Sequence, residues 1–203
     1  MDGVIKDNFT DLDTGFPIWN RIFMVAPLVV VGTKEGKGYD LAPKHMATPI
    51  GFGNYFGFVC TPRHCTYQNI KKTGYFAVSF PLPDQVTVTS LSASPRCEDS
   101  TKFNTIIKAL PTIKATTMDA LMVADSYLYL ECELFKIIDG FDENSIITGK
   151  IQKAFAHNDY LRISEQDEQQ HIKNNPLLAY IAFGRFARIE QTYNFPFPKD
   201  FKR

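Results

Sequence analysis

The stretch that most constrains this chain runs over residues 29–81. Apolar segments suited to strands lie at residues 24–33, 39–47, 55–60 and 75–80, with one short helical stretch between the last two. Lys34-Glu35-Gly36-Lys37-Gly38 reads as a hairpin turn with two glycines. Proline cannot donate to a strand ladder, so Pro43 predicts a second strand that is bent or lies at a sheet edge. Residues 48–54 form a glycine-containing turn before the third strand.

The same stretch carries the clearest chemistry. The strand Phe56-Gly57-Phe58-Val59-Cys60 runs into Thr61-Pro62-Arg63-His64-Cys65-Thr66, and residues 66–72 read as a helix ending at Gly74. Thr66 is the expected N-cap and Gly74 the expected terminator. A helix N-terminus offers N–H groups and a partial positive charge, which suit a phosphate. Arg63 adds a fixed cation with a planar fork of donors. It reads equally as a surface ion-pair arginine, and His64 reads as exposed.

Further along, residues 84–91 suit helix or strand, residues 102–110 a short helix, and residues 111–122 an irregular crossing segment. Residues 127–138 are the clearest strand, with a turn over 139–144 and a returning partner over 145–157. Residues 164–173 suit a short helix, and residues 177–187 alternate as a strand does. About seven hairpin-linked strands with few helices predict a mainly β fold, a β-barrel with short helices. No Gly-, Ser- or Pro-rich linker divides the chain, so residues 1–203 are expected to form a single domain, with residues 1–22 an N-terminal arm.

Composition narrows the function. Lys plus Arg and Asp plus Glu both number 22, so nothing points to nucleic acid or an anionic membrane. The longest apolar run, residues 24–31, is too short to span a bilayer, and the N-terminus lacks a signal-peptide pattern. Cys60, Cys65, Cys97 and Cys132 show no two-residue spacing, so no metal site is expected, and free thiols in a reducing cytoplasm are. Gly51-Phe52-Gly53 precedes a strand, not a helix, and is no dinucleotide fingerprint. Zinc-peptidase and serine-hydrolase patterns do not occur.

Several short pieces occur in a telling order. They are Leu28-Val29-Val30-Val31, Leu41-Ala42-Pro43, the strand into Cys60, Thr66-Tyr67-Gln68-Asn69-Ile70-Lys71-Lys72-Thr73-Gly74, and Phe76-Ala77-Val78. Lys102-Phe103, Tyr129-Leu130-Glu131-Cys132-Glu133, Thr148-Gly149-Lys150-Ile151 and Arg185-Phe186-Ala187-Arg188 follow. In this order the chain resembles the flavin reductase-like, FMN-binding split-barrel family, in its flavoredoxin-like branch. It departs at Asp40, where that family usually has Asn, at His45, where it commonly has Ser, and at Gly53-Asn54-Tyr55, where it has paired prolines.

The resemblance implies FMN at the edge of a barrel, a homodimer, and NADH or NADPH as co-substrate. It implies that Thr61, Arg63 and Thr66 hold the phosphate, and that Lys44, His45, Met46, Ala47 and Thr48 contact the ring, partly through backbone N–H groups. Cys60 and Asn69 complete the expected cofactor-binding set. Lys44 would balance the flavin or face solvent, and His45 would bind or cap a strand end. No catalytic acid is required, because hydride transfer relies on the flavin. Two functions share this site: a flavin reductase, and an electron carrier that passes electrons to a protein partner.

Overall fold

Val29, Val30 and Val31 have no exposed surface. Successive strand side chains point to opposite faces, so the sheet they belong to is covered on both sides. The computed structural model describes residues 9–95, 102–162, 168–182 and 184–200. Cys97, the start of the arm, the beginning of the helix expected over 164–173 and position 183 lie outside these residues.

The first strands are β1 (Val25–Pro27), β2 (Val29–Glu35), β3 (Gly38–Lys44), β4 (Ala47–Pro49) and β5 (Tyr55–Cys60). Helix α1 (Cys65–Thr73) and β6 (Tyr75–Phe80) follow, then α2 (Val86–Leu91) and α3 (Lys102–Thr105). The chain continues through β7 (Thr112–Lys114), β8 (Leu121–Val123), β9 (Leu128–Phe141) and β10 (Asn144–Ala156). It ends with α4 (Glu168–Asn174), β11 (Leu177–Ile181) and β12 (Arg185–Ile189). Local chemistry sets the ends: Gly36 (φ 52) turns the β2–β3 hairpin, and Gly74 (φ 79) caps α1 by donating to the Ile70 carbonyl at 2.8 Å.

Several expectations change: the strand expected over 39–47 ends at Lys44 and a separate β4 begins at Ala47, and the strand expected over 177–187 is the pair β11 and β12. The single strand expected over 24–33 is two strands, because β1 leaves the main sheet and pairs with β11 while β2 pairs with β3 and β6. The crossing segment over 111–122 contains the small β7–β8 ladder. The ambiguous segment over 84–91 is helical, a 3-10 turn running into α2.

The main sheet is antiparallel, with strand order β3-β2-β6-β9-β10-β5-β4. Its two edges, β3 and β4, are consecutive in the chain and joined only by His45 and Met46. Such a link spans at most about 10 Å. The seven-stranded sheet must therefore curl until its edges nearly meet, which makes a split barrel with its gap between β3 and β4. Pro43 lies on edge strand β3, where its missing N–H costs no ladder bond.

Inside the barrel pack Val29, Val31, Phe56, Phe58, Phe76 and Ile147, with the Phe58 and Phe76 rings edge to face at 5.3 Å. Each such side chain contributes about 1.5–3 kcal/mol on burial. The other face of β2 and β3 carries Val30, Tyr39 and Leu41, covered by Ile107, Leu121 and Val123. The approach is so close at Gly32 that a Cβ there would meet the Leu121 carbonyl oxygen at 1.8 Å. Glu131, fully buried, accepts from the Thr116 and Thr117 N–H groups, each at 2.7 Å, and from both threonine hydroxyls. That carboxylate fastens the covering segment to β9.

A second sheet, β1-β11-β12, stands beside the split. Ala182 N–H donates to the Met24 carbonyl at 3.1 Å, and the His45 ring lies 4.7 Å from that of Tyr180 at 32°. The short β3–β4 link thus meets β11 at the mouth of the barrel.

Candidate functional site

A cavity of about 420 Å³ opens where β3 ends beside the N-terminus of α1. Its walls include Lys44, Arg63, His64, Thr66, Asp40 and Lys102. Strand β3 delivers Lys44, the loop after β5 delivers Arg63 and His64, and α3 begins at Lys102. The N-cap of α1 is His64 (φ −78, ψ 142), not Thr66 as expected from sequence. Thr66 lies inside the helix, fully buried, and donates its hydroxyl to Asp40 Oδ2 at 3.2 Å. His64 makes no side-chain capping bond, while the Tyr67 N–H in the first turn is hydrogen-bonded to the Cys60 sulfur.

Among the described residues, four basic side chains and one carboxylate face this space. Asp40 is buried and paired with Lys102, whose Nζ lies 3.3 Å from Oδ1 and donates to the Leu41 carbonyl at 2.6 Å. Arg63 is exposed and meets Glu143 at 3.1 Å. Lys44 Nζ sits 3.5 Å from Cys60 Sγ. Burial pushes the Cys60 thiol up, and the Lys44 charge offsets part of this. Burial first, then the charges of Lys44 and Arg63, hold His64 below the usual imidazole range. Among the described residues, Lys44, Arg63 and Lys102 therefore carry the positive charge of the site, with Lys102 paired with Asp40 and Arg63 with Glu143.

A second cavity, about 310 Å³, adjoins the first along Pro43 and Ala93, and its walls include Leu28, His45, Val86, Tyr180 and Phe186. A third, about 340 Å³, adjoins the second across His45 and Tyr180. Burial first, then the charge of Lys44, lowers the His45 pKa, so this imidazole is neutral at pH 7. The three spaces form one run along the split, basic at one end and apolar at the other.

The expected site residues divide. Lys44, Arg63 and Thr66 share the basic cavity, and His45 and Met46 lie along the apolar part of the run. Ala47 and Cys60 point their side chains into the barrel core. Thr48 donates to the Pro49 carbonyl at 3.2 Å and Thr61 to Asn144 Oδ1 at 3.2 Å. Asn69 donates to Thr33 Oγ1 at 3.0 Å. None of these five side chains lines the three cavities.

The backbone of Ala47 has a different orientation. Val59 N–H donates to the Met46 carbonyl and Ile50 N–H to the Tyr55 carbonyl, both at 2.9 Å. Ladder bonds alternate along an antiparallel strand, so Thr48 faces β5 with its backbone groups, and the Ala47 N–H turns toward the gap.

Residues 21–181 match the family described as Flavin reductase like domain. The chain belongs to this family. Solved structures share its fold at low identity. Flavoredoxin from Methanosarcina acetivorans superposes with a TM-score of 0.74 at 18% identity, covering 95% of this chain and 97% of its own. The 2-nitrobenzoate 2-nitroreductase NbaA of Pseudomonas fluorescens gives 0.76 at 16%, covering 96% and 99%. The FMN-binding protein from Thermus thermophilus, in a structure with bound 1-cyclohex-2-enone, gives 0.71 at 17%, covering 92% and 99%. No curated protein matches by sequence. Among the described residues, no helix is long and apolar enough to cross a membrane, and no cluster of three His, Cys, Asp or Glu could hold a metal.

Lys102, Asp40, Tyr180 and Trp19 line the run without having been expected there. Lys102-Phe103 was visible as a family-like piece, and Asp40 as a departure from the family. Trp19 and Tyr180, far apart in sequence, line one cavity beside the β1–β11 pairing.

Proposed function

We propose that this chain binds FMN and acts as a flavin reductase that takes its reducing equivalents from NADH or NADPH. The observation that carries this reading is the continuity of a basic cavity at a helix N-terminus with a second cavity whose walls are mainly apolar but include Arg185, Thr89 and Ser90. FMN has the same polarity along its length: a doubly charged phosphate, a polar chain and a flat ring. The donor set fits the group. Lys44, Arg63 and the N-terminal end of α1, where His64 makes no side-chain cap, suit the phosphate. Lys102 neutralises Asp40, so the one carboxylate that the described residues bring to the cavity does not oppose an anion by a full charge. Pro43, His45, Tyr180 and Phe186 give the ring mainly apolar walls, and the Ala47 N–H is aimed where it can donate to a polar ring edge.

Bound FMN supplies the hydride acceptance and donation. The protein's own share is to bind and orient, and no side chain is assigned a proton transfer. The family match and the flavin-handling neighbours support this reading.

We further propose a homodimer and a cytoplasmic location. Large apolar side chains stand exposed on both terminal segments, among them Phe16 (72%), Phe23 (82%) and Tyr193 (83%), which favours cover by a second copy. Among the described residues, Cys60 and Cys132 are buried free thiols, which suits a reducing compartment.

The test is spectroscopic and kinetic. The purified protein mixed with FMN and freed of excess should keep flavin absorbance bands, and should oxidise NADH or NADPH with added flavin. Retained flavin with no turnover of either nucleotide, but fast reduction by a reduced ferredoxin, would assign the electron-carrier role instead. A protein that retains no flavin would overturn both.

A further inference from the structure

The third cavity, at the far end of the run, has a composition of its own. Trp19 and Met24 come from the segment before β1, Val25 from the start of β1, His45 and Met46 from the β3–β4 link, and Tyr180 from β11. Among the described residues, no Lys, Arg, Asp or Glu lines it. Its volume, about 340 Å³, falls in the range of small-molecule sites. The pairing of Ala26 with Tyr180 fixes β11 against β1, and the Tyr180 hydroxyl accepts the Gly184 N–H at 2.8 Å, which holds the ring in place.

We propose that this cavity is a binding site for a small, planar, uncharged aromatic compound, the second substrate of the flavin site. It rests on the FMN reading in one respect: the flavin ring is assigned to the neighbouring cavity, which leaves this one for another molecule. The rings of Trp19 and Tyr180 and the polarizable thioether of Met24 favour a flat apolar guest. The neutral lining offers nothing to a carboxylate or a phosphate, whose desolvation would go uncompensated. An intact dinucleotide would have to keep its pyrophosphate outside. The His45–Tyr180 pair is the partition between the two spaces and sets how closely a guest approaches the flavin side.

Trp19 is the chain's single tryptophan, so its emission reports on this cavity alone. Coumarin, planar and uncharged, is the probe, and coumarin-3-carboxylate its charged counterpart. Coumarin should change Trp19 emission saturably, and the carboxylate should bind at least about tenfold more weakly. Met24 is 44% exposed, so Met24→Lys should fold, and it should reverse that preference. FMN affinity, followed by flavin emission, should be unchanged in Met24→Lys. FMN binding with no saturable coumarin response, or with equal affinity for the two probes, would overturn this inference and leave the FMN reading standing. Coumarin binding without FMN binding would leave the site but overturn its role as the flavin's second substrate site. Trp19 emission that changes on dilution of the protein, with no response to coumarin, would assign the cavity to a second copy of the chain and overturn the inference.

Discussion

Lys102 Nζ lies 3.3 Å from Asp40 Oδ1, and both side chains are more than nine-tenths buried. This pair sits in the wall of the basic cavity and joins α3 to the edge strand β3. Removing one partner of a buried pair costs about 3–5 kcal/mol, because the other charge stays buried without it. Lys102→Met should lower stability by that amount in urea unfolding. Asp40→Asn combined with Lys102→Met should recover much of the loss, since no charge is then left stranded. A single variant with an unchanged midpoint would show that the pair contributes nothing.

Glu131 sets a pH dependence. Its desolvation pushes the carboxyl pKa up and is the largest single influence, but the backbone and hydroxyl donors of Thr116 and Thr117 together outweigh it and hold the pKa below the ordinary glutamate value. A carboxyl with a depressed folded pKa stabilises fully above its unfolded pKa, and that contribution is lost as pH falls through the folded value. The thermal midpoint of the wild type should therefore fall as pH drops below about 4.3. Glu131→Gln should be less stable at pH 7 by about 1.5–3 kcal/mol and should lack this part of the acid dependence. Parallel pH profiles for the two proteins would contradict the assignment.

Gly32 tests the covered outer face of the sheet. An alanine Cβ there would stand 1.8 Å from the Leu121 carbonyl oxygen, which is backbone and cannot swing aside. Gly32→Ala should destabilise by about 3 kcal/mol or more, the upper range for overpacking. Amide exchange should quicken first in β8, the strand forced to lift. A variant as stable as the wild type would show that β8 is loosely held.

Much of the fold is legible in the sequence, and particular residues show why. Strands β5 and β6 stand at the expected positions because a helix closed by Gly74 separates two apolar runs. The break between β1 and β2 was hidden, because Val25 and Val29 look alike in sequence and only their partners, Ile181 and Lys44, tell them apart. Strands β7 and β8 have three residues each, too few to show a period. At the site, Thr66 looks like an N-cap because hydroxyls favour that position, but Asp40, 26 residues upstream, supplies a buried acceptor for its hydroxyl. Lys102, Tyr180 and Trp19 reach the run through strand pairing and chain crossing, which no local pattern encodes.

The most direct test of the central claim, that the cavity at the start of α1 holds a flavin phosphate, compares FMN with riboflavin, which lacks the phosphate. Dissociation constants for both are measured on the wild type, Lys44→Ala and Arg63→Ala. A charge-assisted contact contributes about 1.5–3 kcal/mol, so each variant should lose roughly tenfold or more in FMN affinity while riboflavin binding stays unchanged. Equal losses for both flavins, or no loss for FMN in either variant, would contradict it.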